Sequence, residues 1–249
     1  MNIERLIREV SAEIGSPNMI KGAYRESSVS IFSVLQALEH SLLTVALDEK
    51  TVLEACKQAR RHHIAAVCIP PYYVSTARRC LAGAGVGVCA SIGVPNALMS
   101  YEAKLADIRY SLLSGADELD VCINTHAIKS GRLDEARKEL SDMVRAAKGK
   151  AVVKAAVELS VFSEEEAKAV LHMVKDSGAA YVKIQNVLSG KAADPADVLY
   201  VKSILGNNVR VKIDGGVKTS TKAWELISAG ADRIGLTATF DIAEKLEGR

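Results

Sequence analysis

Aromatic residues are scarce in this chain, at 4% of 249 positions, so any interior built from it has to close on aliphatic side chains. Hydrophobic residues make up 49%, rich in Val, Ile, Leu and Ala, and can fill such an interior. Long apolar runs are also missing. No stretch reaches the roughly 18 residues that a bilayer-spanning helix needs. Net charge is only +2, which makes no case for nucleic acid or an anionic membrane as partner. The cysteines (Cys56, Cys68, Cys80, Cys89, Cys122) are odd in number and form no C-x-x-C pair. They read as buried thiols in a reducing compartment, not as disulfides or zinc ligands. No H-E-x-x-H pattern occurs, and His62-His63 falls at a helix end, where a surface position is expected. The opening residues, Met1-Asn-Ile-Glu-Arg-Leu-Ile-Arg8, lack the apolar core of a signal peptide. These absences point to a cytoplasmic protein with neither metal nor cofactor.

What the chain does contain is a repeat. Ile3, Leu6, Ile7, Val10 and Ile14 lie at helical spacing and end at Gly15, so the spacing predicts a helix over 2–14. A short amphipathic segment follows at 29–35. From there, apolar strands at 38–43, 64–69, 86–92, 118–123, 151–157, 180–184, 209–213 and 233–236 alternate with helical stretches. The helices are expected at 48–61, 72–82, 100–114, 132–147, 164–177, 195–205, 220–229 and 240–247. Asp48 is placed to cap the first of these, and Ser163-Glu-Glu-Glu166 forms a capping box for the fifth. The strands read as continuous apolar runs, the pattern of a parallel sheet covered on both faces. Three junctions nearly repeat: Ser114-Gly-Ala-Asp117, Ser177-Gly-Ala-Ala180 and Ala229-Gly-Ala-Asp232. Each puts Gly where a helix ends in the left-handed conformation. No G-x-G-x-x-G motif follows the first strand, which weakens a dinucleotide-binding sheet. Eight βα units over 38–247 predict an α/β fold, a (β/α)8 TIM barrel. It is preceded by an N-terminal helical extension over 1–37, and with no Pro-, Gly- or Ser-rich linker the whole of 1–249 is one domain.

In a barrel, chemistry belongs at the C-terminal ends of the strands. Lys183 sits there in Ala180-Tyr-Val-Lys-Ile-Gln-Asn186, and Lys212 in Val209-Arg-Val-Lys-Ile213. Burial and a neighbouring cation both disfavour the ammonium form, so a lysine in this position can be a free amine that attacks carbonyls. The plainer alternative is a pair of lysines snorkelling to water. Asp120 lies within an apolar strand, Asp117-Glu-Leu-Asp-Val-Cys-Ile123, as a candidate acid–base group or a structural ion-pair partner. Lys154 and Glu158, on the fifth strand, are candidates to tune or orient, and Cys68 to form a pocket wall. Gly215-Gly216 follows the seventh strand directly and can close backbone N–H groups on an anion.

Several stretches together resemble the deoxyribose-phosphate aldolase family. They are Leu38-Glu-His-Ser-Leu-Leu43, Ala66-Val-Cys-Ile-Pro70, Gly115-Ala-Asp-Glu-Leu-Asp-Val121, Tyr181-Val-Lys183, Val211-Lys-Ile-Asp-Gly-Gly-Val-Lys-Thr219 and Gly230-Ala-Asp-Arg-Ile-Gly235. Their order and spacing agree with that family from about residue 38 to 240. The resemblance implies a class I aldolase that works without a cofactor on a small-molecule aldehyde or sugar phosphate, and a homodimer or higher homo-oligomer is compatible with it. By position it implies Lys183 as the Schiff-base lysine, Lys212 as the lysine that lowers its pKa, and Asp120 as the carboxylate of the proton relay.

The chain also departs from that pattern. Ile184-Gln-Asn-Val187 stands where the family usually has Thr-Ser-Thr-Gly, and Asp214 where it has Ser or Ala. Glu39-His40-Ser41 replaces Asp-His-Thr, and Gly235-Leu-Thr-Ala-Thr239 the usual Gly-Thr-Ser-Ser/Ala-Gly. Gly215, Gly216 and Thr237 still offer donors to a phosphate, with Lys218 or Lys191 as positive charge, while Asp214 is expected to oppose it, or else to turn outward or pair with Lys218 and leave the phosphate site usable. Three readings therefore stand: a Schiff-base aldolase; a related barrel enzyme using the same imine on another substrate or for transaldolase or dehydration chemistry; and a non-catalytic binding barrel.

Overall fold

The computed structural model describes residues 30–94, 98–186 and 189–248. The helix expected over 2–14, and with it most of the N-terminal extension, lies outside the described residues. Its last part is present as α1 (Ile31–Leu35), capped by Ser30. Eight parallel strands then close into a barrel in strict chain order: β1 (Leu38–Ser41), β2 (Ala66–Ile69), β3 (Gly87–Ile92), β4 (Glu118–Cys122), β5 (Val152–Val157), β6 (Tyr181–Gln185), β7 (Arg210–Asp214) and β8 (Arg233–Leu236). β8 returns to β1 through the pairs Leu38–Ile234 and His40–Leu236, so the sheet has no edge. This is the TIM barrel that the apolar runs predict, with expected boundaries met to within one or two residues at most ends.

Local chemistry explains the helices between the strands. In α2 (Glu49–His62), Asp48 accepts from the Thr51 amide at 2.8 Å, and Arg60, Arg61 and His62 occupy the last turn, where cations suit the helix dipole. The helix expected over 72–82 divides into a 3-10 turn at Pro71–Tyr73 and α3 (Val74–Leu81), because the Pro70-Pro71 pair fixes the backbone at its start. After α4 (Tyr101–Leu113) and β4 comes a short helix that periodicity did not reveal, α5 (Thr125–Lys129), and then α6 (Leu133–Ala147). The remaining helices are α7 (Glu164–Ser177), α8 (Pro195–Leu205), α9 (Ser220–Ser228) and α10 (Thr239–Glu247). The repeated junction glycines take the positive φ their position predicts, 95° at Gly115, 79° at Gly178 and 104° at Gly230.

The core between barrel and helices is mainly aliphatic, as the scarcity of aromatics requires, with Phe162 and Tyr200 buried in it. Polar side chains are also buried in this outer layer. Lys104 of α4 pairs with Glu139 of α6 and donates to the Cys122 carbonyl at 3.2 Å, tying both helices to the end of β4. His62 corrects an expectation: it is fully buried, not on the surface, and its Nδ1 lies 3.1 Å from Glu247 of α10. Only its neighbour His63, in the left-handed conformation at φ 50°, faces solvent. No described helix is long and apolar enough to cross a membrane.

The capping box of α7 is complete, with Ser163 accepting from Glu166 N at 3.2 Å and Glu166 accepting from Ser163 N at 2.8 Å. Ser163→Ala is expected to cost about 1 kcal/mol. In a domain of this size that lowers the unfolding midpoint by roughly 2–4 °C. Thermal unfolding followed by circular dichroism checks it.

Candidate active site

Side chains alternate along a strand, and in a closed barrel alternate strands contribute to one interior layer. The odd strands bring Glu39, Cys89, Lys154 and Lys212 together, and the even strands Cys68, Asp120 and Lys183. All seven are fully buried. The register places Lys183 beside Lys212, and Asp120 beside Lys154.

Asp120 is the hub. Its Oδ2 lies 2.7 Å from Lys183 Nζ and 2.7 Å from Lys212 Nζ, while its Oδ1 lies 3.3 Å from Lys154 Nζ and accepts from Cys89 Sγ at 3.2 Å. Glu39 bridges the other side, 2.8 Å from Lys154 and in contact with Lys212. Lys154 also touches Glu118, which pairs with Arg233 at 3.0 Å. Sequence reasoning missed Glu39, Cys89, Glu118 and Arg233 as members of this group. Their only signal was a charged or thiol residue at an inward position of an apolar strand.

Asp214 completes the network. The expectation that it turns outward or pairs with Lys218 is not met: its Oδ2 lies 2.7 Å from Lys183 Nζ and its Oδ1 3.8 Å from Lys212 Nζ. Gly235 makes this possible. Gly235 is the register partner of Asp214, and a Cβ there would collide with Asp214 Oδ1 and lie 2.6 Å from its Cγ. The missing side chain on β8 is the space that the carboxylate occupies.

The electrostatics follow from this crowding. Burial alone would raise the pKa of Asp120, but Lys154, Lys183 and Lys212 outweigh it and hold the carboxyl well below the usual range. Burial likewise pulls Lys183 toward the free amine. Asp120 and Asp214 overcome that pull and hold its pKa well above that of an ordinary lysine. The free amine expected from the sequence is thus not the resting form of this chain, in which Lys183 is an ammonium clasped by two carboxylates. Lys212 is also raised, by Asp120 and Asp214 against burial.

A cavity of about 290 Å³ opens beside this network, lined among others by Ser41, Gln185, Asp214, Gly215, Gly216, Lys218, Gly235 and Thr237. It gathers the predicted Gly215, Gly216 and Thr237 with the cationic Lys218. Gly216, at φ 65°, has no room for a side chain, since a Cβ would lie 2.9 Å from Ala192 Cα. Cys68 sits deeper than a pocket wall, its Sγ 3.7 Å from Asp120 Oδ2. Glu158 accepts from Ser160 Oγ at 2.6 Å, at the start of the turn after β5. Glu39, Cys68, Cys89 and Asp120 bring potential metal-ligating atoms within 4.8 Å of one another, but a cation there would have to displace the lysine ammoniums that already hold the carboxylates.

Burial raises the pKa of Glu39, yet Lys154 and Lys212 bring it down from 4.5 to about 2. A depressed carboxylate stabilises the fold above its unfolded pKa and loses that contribution as pH falls through the folded one. Glu39→Gln is therefore expected to cost roughly 3–5 kcal/mol at pH 7, because it leaves two buried ammoniums short of a partner. The same variant should lose less stability than the parent between pH 4.5 and pH 2. Denaturant unfolding across that range measures both.

The arrangement also invites comparison with known proteins. No family model matches the chain. The deoxyribose-phosphate aldolase of Desulfitobacterium hafniense (strain DSM 10664 / DCB-2) is 36% identical over 206 residues, 82% of this chain and 94% of that protein. The solved aldolase QR15 superimposes with a TM-score of 0.82 at 31% identity, covering 87% of this chain and 96% of that one. The tetrameric deoxyribose phosphate aldolase from Aeropyrum pernix shares the fold, with a TM-score of 0.83 at 24% identity over 93% of this chain and 98% of that one.

Proposed function

Because this chain belongs to the deoxyribose-phosphate aldolase family and is thereby a lyase of the aldehyde-lyase class, we propose that it cleaves 2-deoxyribose 5-phosphate through an imine on Lys183. The observation that carries this reading is Lys183 Nζ, fully buried at the centre of β6 and not at its end as expected, 2.7 Å from two carboxylates beside the cavity.

The chemistry runs as follows. Lys183 condenses with the sugar aldehyde to give a protonated imine. As the C–C bond breaks, its electrons flow into the imine and leave an enamine, and the hydroxyl proton of the departing aldehyde goes to a base. A proton returned to the enamine carbon and hydrolysis of the imine release acetaldehyde. Asp120, held ionised by three lysines, serves the proton relay. Lys212 and Lys154 keep it in place. The phosphate end lies toward Gly215, Gly216, Thr237 and Lys218, at the loops after β7 and β8 where barrels bind this group. Asp214 faces Lys183 and Lys212, so its charge is already offset where the sequence alone sets it against the phosphate. A cytoplasmic location accompanies this reading, supported by Cys56, Cys68, Cys89 and Cys122, which are buried and not joined in disulfides.

Incubation with acetaldehyde followed by borohydride should add mass to the peptide containing Lys183, and Lys183→Ala should abolish both adduct and cleavage. An adduct persisting in that variant would move the nucleophile elsewhere. Asp120→Asn should slow exchange of the donor's α-protons by roughly a hundredfold. For the substrate, Lys218→Ala should raise KM for deoxyribose 5-phosphate about tenfold more than for deoxyribose, the scale of one hydrogen bond to a charged group. Steady-state kinetics on both sugars measure the difference, and equal effects would place the phosphate outside this cavity.

A further inference from the structure

The carboxylates touching Lys183 are not equivalent. Asp120 is fully buried, and both of its oxygens are engaged, Oδ2 by Lys183 and Lys212, Oδ1 by Lys154 and Cys89. A carboxylate held by three ammoniums resists taking a proton. Asp214 is held by Lys183 through Oδ2, while its buried Oδ1 has no hydrogen-bond partner among the described residues. Its side chain is 14% exposed and borders the cavity, whereas Lys183 is fully buried. A carbonyl compound approaching Nζ from that cavity therefore passes Asp214.

Charge balance gives a second reason. The interior group holds Lys154, Lys183, Lys212 and Arg233 against Glu39, Glu118, Asp120 and Asp214, so cations and carboxylates are equal in number. An ammonium cannot attack a carbonyl, and Lys183 must lose its proton first. Expelling that proton to solvent would leave the group with an excess negative charge in a buried site. Passing it to a neighbouring carboxylate leaves the total unchanged, and Asp214 is the neighbour that borders the cavity, with an Oδ1 that accepts no hydrogen bond from the described residues and meets Lys212 only at 3.8 Å.

We propose that Asp214 is the acid–base partner of Lys183 in forming and breaking the imine. In the forward direction the Nζ ammonium gives one proton to the Asp214 carboxylate. The freed amine attacks the carbonyl carbon, the N–C bond forms, and the carbonyl π electrons move to oxygen. That oxygen takes a proton from the attached nitrogen, giving the neutral carbinolamine. Asp214 then returns its proton to the hydroxyl, the C–O bond breaks, water leaves, and the nitrogen lone pair closes the C=N bond. Ammonium and carbonyl have become iminium and water, and Asp214 is again a carboxylate facing a cation. Gly235 is integral to this role, because any side chain on β8 at that point would displace the carboxylate from Nζ.

The inference rests on Lys183 as the nucleophile, and its test separates the two. Single-turnover borohydride trapping with acetaldehyde is followed on the full chain across pH in wild type, Asp214→Asn and Asp214→Ala. Around Lys183 the titratable and charged groups are Asp120 on β4, Asp214 and Lys212 on β7 and Cys68 on β2, with Lys154 and Glu39 behind them. Removing the Asp214 charge therefore leaves Asp120 as the nearest carboxylate. In the Asn variant, trapping at Lys183 is expected to fall about a hundredfold at pH 7 and to recover as pH rises and solvent removes the ammonium proton. In the Ala variant, added formate, a carboxylate small enough for the vacated space, should restore at least a tenth of the wild-type rate. A wild-type trapping rate in the Asn variant, or a slow Ala variant that formate leaves unchanged, overturns the role of Asp214 while an adduct on Lys183 in wild type keeps the nucleophile. No adduct in wild type removes both.

Discussion

One carboxylate holds the interior of this barrel together. Asp120 accepts from or faces ammonium groups on β5, β6 and β7, so three strands converge on a single side chain. Burying charge is costly, and a hydrophobic layer of similar volume would stabilise a barrel at least as well. The arrangement is therefore a poor device for stability alone. It holds a lysine in a water-excluded site at the centre of β6, ionised in the resting chain and close to two bases. Each member depends on the others, because removing any one leaves its partners charged and buried.

That dependence shapes the chemistry. In water, a lysine can be poised for imine formation by lowering its pKa with a neighbouring cation. Here the cations Lys154 and Lys212 are matched by carboxylates, and Lys183 rests as an ammonium. Its reactivity then depends less on a depressed pKa than on a short proton path to a base. Such a path is a matter of geometry, and Gly235 shows how far the geometry has been arranged, since an absent side chain on β8 makes room for a carboxylate on β7.

Much of the architecture was legible because its determinants are local. Apolar runs mark strands covered on both faces, capping residues such as Asp48 and Ser163 start helices, and the junction glycines end them. Legibility failed where local signals were short or misleading. Thr125–Lys129 is too brief for helical periodicity to emerge, and the Pro70-Pro71 pair hid a 3-10 turn within what read as one helix. His62 looked like a polar helix end, and only its packing under α10, against Glu247, buries it. Glu39 gave no sign that it would bridge two lysines that lie more than a hundred residues away in the chain.

The amino-acid sequence by itself determined the eightfold βα repeat and the presence of Lys183, Lys212 and Asp120 inside apolar strands. These follow from hydrophobic period and turn chemistry, which act over a few residues. Only the tertiary structure decided which charges meet. Closing the barrel sets Asp214 beside Gly235 and folds its carboxylate onto Lys183 instead of Lys218. Strand register and closure are properties of the whole sheet, and a contact across the barrel interior depends on all eight strands at once.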